Sequence, residues 1–285
     1  MSTDEQYAAI DAVNWSTLKR LEVSPLWLQW CAEHPQPDTT AYALGRAAHC
    51  AILEPGEFDA RYAVRPDVDG RTKAGKAALA EWDPGERDVL RADDMVIVER
   101  CAAAVVAHGV AREALSGGRA EVVAQWVDEP TRLACKGRID YLTTRVVDLK
   151  TTRRQTTREF ARDASAMLYH GQIAFYHDGA IAAGLLPPDA PAPLLVAVQT
   201  VEPYDVAVYE YTDAALAAGR ALYRRLLDQY GACGDADWWP GIAPDIVPLD
   251  VERWAPGAEE NLPDGGSICE HTRRQAQRVL KGGAQ

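Results

Sequence analysis

The stretch GRIDYLTTRVVDLKTT, Gly137 to Thr152, sets two aspartates and a lysine among apolar residues in a pattern that suits divalent-ion chemistry. Read as two short strands around a Thr-Thr-Arg turn, it alternates. Ile139, Tyr141, Val147 and Leu149 share one face, and Arg138, Asp140, Asp148 and Lys150 share the other. Equal arms centre the hairpin on Thr144 and oppose Asp140 to Asp148, with Cβ atoms roughly 4.5–5.5 Å apart. Like charges opposed in this way repel, and a hard cation such as Mg²⁺ held by carboxylate oxygens relieves the repulsion. Lys150 adds an ammonium on the same side. Asp-X-Lys alone equally describes a solvated strand face on which Arg138 and Lys150 balance the acids. The preceding aspartate and the apolar opposite face make the pattern informative.

Other residues could complete such a site. His49 lies inside a helical pattern between Ala48 and Cys50, where a lone histidine is ordinarily just exposed or hydrogen-bonded. Glu121 opens a strand whose Val122, Ala124 and Trp126 point one way. This leaves Glu121 and Gln125 on the other side, either as surface polar groups or on the face of the two aspartates. Tyr169, Gln172 and Tyr176 form one helical stripe. Such stripes usually pack on a core, yet a glutamine within one suits phosphate oxygens or a base edge. Arg71, Lys73 and Lys76, with Lys136, Arg138, Arg153 and Arg154 around the hairpin, could make a local basic surface.

The elements that must position these groups follow from periodicity and punctuation. The first half reads as helices: SPLWLQWCAEH with Ser24 as N-cap and Pro25 at the first helical position, DTTAYALGRAAHCAILEPG from an Asp38/Thr39 cap to a Pro55-Gly56 stop, and RADDMVIVERCAAAVVAHG. RPDVDGRTKAGKAALAEW reads as a loop leading into a helix. The period then changes to three strands: RAEVVAQWVD, TRLACKGRIDYL and RVVDLKTT. TTREFARDASAMLYHGQIAFYHDGAIAAGL follows as a helix, APLLVAVQTVE and YDVAVYEYT as strands, and DAALAAGRALYRRLLDQYGAC as a final helix. The order implies an α/β fold, a mixed central β-sheet flanked by helices. Residues 1–240 form the main domain with a helical N-terminal part, and 241–285, rich in Pro, Gly and acids, form a partly irregular C-terminal extension.

A net charge of −12 excludes a globally basic nucleic-acid binder, so a polyanionic substrate requires a local basic site. No stretch approaches the roughly 20 apolar residues of a membrane span, and the N-terminus lacks a basic segment followed by an apolar run. A cytoplasmic protein is expected. Six scattered cysteines without a C-x-x-C pair read as reduced thiols, mostly in the core, with neither an iron–sulfur cluster nor a structural zinc. G-x-S-x-G, P-loop and H-E-x-x-H motifs are absent, which argues against triad hydrolases, nucleotide-driven motors and zincins.

Together these segments resemble the PD-(D/E)XK nucleases, and within them the exonuclease VIII (RecE-like) branch related to the RecB nuclease domain and lambda exonuclease. LGRAAHCAILEPGEFDARYAV resembles the histidine-bearing helix and RTKAGKAALAEW the segment that follows it. CKGRIDYL and VVDLKTT resemble the catalytic hairpin, and GQIAFYHDG the Q-x-x-x-Y helix, in the family's order over most of residues 10 to 240. Ile139 stands where the family name has proline, and the C-terminal extension has no counterpart. The resemblance implies that Asp140 and Asp148 ligate Mg²⁺, for which Mn²⁺ substitutes, with His49 and the Leu149 backbone carbonyl as further ligands. Lys150 would orient or help deprotonate the attacking water. Glu121 would support the metal site, while Gln172 and Tyr176 position the DNA backbone with help from Arg71, Lys73, Lys136 and Arg138. It further implies a Mg²⁺-dependent processive 5′→3′ exonuclease on linear double-stranded DNA, acting in recombination beside a single-strand annealing protein. Trimeric or tetrameric rings are expected. A structure-specific endonuclease or single-strand nuclease, or an inactive DNA-binding scaffold, are the alternatives.

Overall fold

A computed structural model describes residues 3–34 and 38–247. In chain order the helices are α1 (Thr3–Ala8), α2 (Trp15–Leu18), α3 (Pro25–Glu33), α4 (Thr40–Leu53), α5 (Phe58–Arg61), α6 (Lys73–Glu81), α7 (Ala92–Ala107), α8 (Gly109–Ala114), α9 (Thr157–Ala166), α10 (Tyr169–Ala182) and α11 (Asp213–Ala236). The strands are β1 (Tyr62–Val64), β2 (Asp88–Leu90), β3 (Arg119–Val127), β4 (Ala134–Leu142), β5 (Val146–Thr152), β6 (Leu194–Gln199) and β7 (Val206–Glu210). Caps fall where hydroxyls precede helical patterns. Ser24 Oγ accepts from Trp27 N at 3.0 Å and Thr39 Oγ1 from Tyr42 N at 3.2 Å, each satisfying an otherwise unpaired first-turn N–H. The expected single helix after β5 is instead two, because Leu168 adopts a left-handed backbone (φ 60°) between α9 and α10. The short parallel pair β1–β2 went unforeseen, since three-residue strands carry no readable period.

The chain divides into two compact units. One gathers the described residues of 1–36, 127–135 and 220 onward; the other holds those of 37–126 and 136–219. In the first, Val13 N donates to Ala134 O at 2.8 Å and Leu26 N to Pro240 O at 3.0 Å. Arg224 grips the Asp128 carboxylate through two bonds of 2.7 Å, and the Thr131 backbone N–H and hydroxyl bond the same group. Burial pushes the Asp128 carboxyl up, but Arg224 and Thr131 outweigh it and hold the group below the ordinary carboxylate range. A carboxylate depressed in the folded state contributes stability that is complete above its unfolded value near pH 4 and is lost as pH falls through the lower folded value. Asp128→Asn is therefore expected to cost about 1–3 kcal/mol at pH 7, below the range for fully buried pairs because about a third of the Arg224 side chain is exposed. The gap from wild type should narrow at pH 3, which urea unfolding at both pH values will show.

The second unit carries the five-stranded sheet, in the order β3-β4-β5-β6-β7. The hairpin register pairs Tyr141 with Val147 and Leu142 with Val146, so its centre is Thr144 as the equal arms required. β5 runs parallel to β6, matching Asp148 with Leu195 and Lys150 with Ala197, and β6 is antiparallel to β7. On one face Val147, Leu149, Val196 and Val198 form a core with Leu53 of α4 and Cys101 and Val105 of α7. On the other, Phe160 of α9 packs on Leu195 and Ala197, with Tyr169 beside them. Covering both faces explains why β5 is buried from Val146 through Leu149 rather than only at alternate positions.

Close approach sets one glycine. A Cβ on Gly179 in α10 would lie 2.5–2.7 Å from the Trp126 indole. Gly179→Ala, which normally favours a helix by roughly 1 kcal/mol, is here expected to destabilise by about 1–3 kcal/mol through overpacking. A melting temperature lower by about 2–12 °C would register it. Cys31, Cys50, Cys101, Cys135 and Cys233 are buried free thiols, while Cys269 and all but the first seven residues of the expected C-terminal extension lie outside the described residues. Among the described residues, no helix is long and apolar enough to cross a membrane.

Candidate metal and catalytic centre

Three elements converge on Asp140. His49 comes from α4, whose apolar face is pinned to the sheet by Leu53, and its Nδ1 lies 3.8 Å from Asp140 Oδ2. Glu121 comes from β3 and Asp140 from β4. One ligand atom each from His49, Glu121 and Asp140 all fall within 4.8 Å of one another. Beside them Asp148 Oδ1 accepts a 2.6 Å charge-assisted bond from Lys150 Nζ. This is not the solvated face that Asp-X-Lys alone could have described: the Asp148 side chain is 4% exposed and that of Lys150 15%.

Backbone detail makes this convergence possible. The β4–β5 ladder runs from Leu142↔Val146 to Tyr141↔Val147. The next available N–H, that of Leu149, donates at 2.8 Å to Asp140 Oδ2 instead. The Asp140 carboxylate thus sits where the two strands part, and the Leu149 carbonyl lies near enough to the His49 ring to favour its protonated form. Glu121 has a left-handed backbone (φ 52°), a conformation costing an ordinary residue roughly 1–2 kcal/mol. That strain aims its carboxylate at Arg138, whose Nε stands 3.0 Å from Glu121 Oε2.

Electrostatics follow from burying many charges together. Burial, then the nearby Lys150 ammonium, lowers His49 to about 4, so its imidazole is neutral and free to donate a lone pair at pH 7. Burial raises Asp140, with Lys150, the Leu149 N–H and Arg138 opposing. Burial likewise pushes Asp148 up to about 6, against Lys150 and with the like charge of Asp140. For Lys150 burial acts downward, but Asp148 and Asp140 outweigh it and hold the ammonium well above its ordinary value. Three carboxylates facing two cations, beside a neutral imidazole and a carbonyl, make a hard oxygen-rich donor set with one nitrogen. Such a set fits a Mg²⁺- or Mn²⁺-type ion and has no thiolate for a soft one.

The other expected site residues are placed differently. Gln172 Nε2 bonds Tyr176 Oη at 3.4 Å, and the Tyr176 ring lies so close over Gly137 that a Cβ there would meet it at 2.9 Å. Tyr176 is thus buried as an anchor of α10, and partly buried Gln172 is the more available polar group. Tyr169, the first residue of α10, sets its ring 5.1 Å from Lys150 Nζ, a cation–π contact. Lys136 is 4% exposed, a correction to its expected place on an open basic surface. Arg71 is exposed and bonded to Asp69 by backbone and guanidinium, and Lys73 is exposed at the start of α6; neither is part of this cluster of contacts. Tyr211 joins the site without having been expected there. Its hydroxyl is raised by burial and then by the Asp148 carboxylate, which places it within electrostatic reach of the pair. Only the β5-β6-β7 register brings it there, so sequence spacing held no signal.

A mixed five-stranded sheet with helices on both faces, carrying acid, acid and lysine on its central hairpin, defines a PD-(D/E)XK-like core. The chain belongs to the family described as PDDEXK-like domain of unknown function (DUF3799), whose model matches residues 15–246. The fold is also similar to a crystal structure from Eubacterium rectale described as a "putative exonuclease": 12% identity, TM-score 0.60, covering 90% of this chain and 98% of that one. A search of curated proteins finds no significant match.

Proposed function

We propose that this protein is a metal-dependent deoxyribonuclease that hydrolyses DNA phosphodiesters, acting as a processive 5′→3′ exonuclease on linear double-stranded DNA in recombination. The observation that carries the reading is the meeting of His49, Glu121 and Asp140 beside the Asp148–Lys150 pair. The family match and the fold shared with the Eubacterium rectale protein support it. His49, Glu121 and Asp140, with the Leu149 carbonyl and Asp148 adjoining, would hold a Mg²⁺ or Mn²⁺ ion. That ion supplies Lewis-acid charge at the phosphoryl oxygen and the attacking water when bound.

The reaction forms a bond from water oxygen to phosphorus, breaks the bond to the leaving sugar oxygen and moves one water proton to that oxygen. Lys150, held protonated, donates to water or to a non-bridging oxygen and stabilises the negative charge that develops there. Asp148 fixes the Lys150 ammonium through their 2.6 Å bond, and the Tyr169 ring limits its swing. Asp140 is oriented by the Leu149 N–H and Glu121 by Arg138, so the donor set is in place before substrate arrives. Gln172, the partly buried polar residue of the α10 stripe, would contact the DNA backbone. A homo-oligomeric ring and an annealing protein receiving the 3′ single strand complete the proposal.

Digestion of linear duplex DNA labelled at either 5′ or 3′ ends, with Mg²⁺ and with EDTA, tests it. Early release of the 5′ label only with metal is the expected result. Efficient cutting of covalently closed circles would instead make the protein an endonuclease, and degradation unaffected by EDTA would remove the metal.

A further inference from the structure

The segment between β5 and α10 leaves the candidate centre and returns to it. It starts three residues after Lys150, and it ends at Tyr169, whose ring lies 5.1 Å from the Lys150 ammonium. Between residues 153 and 163 it carries four arginines against two acids, in a chain whose net charge is −12. Arg154 is spent internally: its Nε bonds Asp163 Oδ2 at 2.6 Å, and its carbonyl accepts from Gln199 Nε2 at 3.1 Å. Glu159 is engaged with the Thr156 N-cap. Arg153, Arg158 and Arg162 are exposed and make no ion pair or side-chain hydrogen bond among the described residues.

The placement of these three is built rather than incidental. Thr200 N donates to Thr152 O at 2.8 Å and, with the Gln199 bond, ties the start of the segment to the end of β6. Phe160 is buried on Leu195 and Ala197, so Arg158 and Arg162, two positions either side of it and one helical turn apart, point away from the sheet. Arg153 lies three residues from Lys150, about 10 Å along an extended chain. Arg162 lies seven residues before Tyr169, four of them helical, which bounds their Cα separation at roughly 16 Å. That distance is well inside one turn of duplex DNA, about 34 Å.

We propose that Arg153, Arg158 and Arg162 form a phosphate-gripping surface for the DNA backbone flanking the scissile bond. The partner follows from the chemistry: two guanidinium groups one helical turn apart, with a third at the start of the same segment, suit a repeating phosphate chain, and that segment is bounded at both ends by the centre. This deepens the nuclease reading and rests on it for the identity of the polyanion.

The test is equilibrium binding of the full chain to a short fluorescent blunt-ended duplex in EDTA, titrated with salt from about 50 to 200 mM. The combined Arg153→Gln, Arg158→Gln and Arg162→Gln variant is compared with wild type and with a charge-matched variant at the exposed Arg65, Arg87 and Arg100. Loss of three phosphate contacts lowers the slope of log affinity against log salt by about 2–3 and affinity near 0.1 M salt by on the order of 10²-fold. The control should keep the wild-type slope. An unchanged slope in the first variant, an equal fall in the control, or no duplex binding by wild type would overturn the proposal. Because binding is read without metal or cleavage, a wild type that binds with this slope yet hydrolyses nothing would sink the nuclease reading and leave the surface standing.

Discussion

Asp148→Asn is expected to lower Mg²⁺-dependent hydrolysis of linear duplex DNA by on the order of 10³-fold, the scale of losing a preorganised charge at a reacting phosphoryl group. The Asp148 carboxylate anchors the Lys150 ammonium at 2.6 Å in a largely water-excluded place. An amide of the same shape still accepts a hydrogen bond but cannot neutralise the ammonium or share a divalent cation. Asparagine is the informative replacement because alanine would strand a buried charge, a change that costs about 3–5 kcal/mol and confuses activity with unfolding. Wild-type circular dichroism with lost hydrolysis would place the defect in the chemistry. Retention of more than a tenth of the activity would remove Asp148 from the assigned role.

Asp140→Asn is expected to have two opposite effects: loss of ion-dependent stabilisation together with hydrolysis, and a metal-free protein more stable than wild type. Burial raises the Asp140 carboxyl, so the charged form is disfavoured where it stands. Asparagine keeps an oxygen for the 2.8 Å bond from the Leu149 N–H and removes one of the crowded negative charges. A gain of about 1–2 kcal/mol, or roughly 2–8 °C in melting temperature in EDTA, follows for a domain of this size. In wild type, millimolar Mg²⁺ or Mn²⁺ should raise the melting temperature by binding the folded state alone, whereas the variant should show little response. A variant melting below wild type in EDTA while still responding to metal would refute the assignment of Asp140 as the central ligand.

The proportions of these effects reflect a common arrangement in active centres, where local stability is given up to hold reactive groups together. The strained backbone at Glu121, the parted strands at Asp140 and the buried Asp148–Lys150 pair each disfavour folding locally. The apolar layer of Ile139, Val147 and Leu149, all at most 1% exposed, supports them from behind. Loss of any one of these buried side chains to alanine typically costs about 2–5 kcal/mol, so the centre depends on residues that never touch substrate.

The hairpin and its frame follow from local residues alone. Period-two alternation and equal arms were enough to place the turn at Thr144 and to put Ile139, Val147 and Leu149 in the core. Ser24 and Thr39 marked helix starts because a hydroxyl before a helical pattern has only local work to do. Local chemistry also made Asp140, Asp148 and Lys150 a set. Which groups meet depends on packing across the chain. The family resemblance implied Asp140, Asp148 and His49 as ligands with Glu121 in support; the fold brings Glu121 itself within ligand distance of His49 and Asp140 and adds the direct contact between Asp148 and Lys150. It buries Lys136 and Tyr176, leaves Arg71 on its own loop and brings Tyr169 and Tyr211 to the lysine. Alternation is a property of a few neighbouring residues and is legible in them. A meeting of residues 49, 121 and 140 depends on helix packing, a left-handed residue and a strand register, whose energies are summed over many distant contacts and written at no single position.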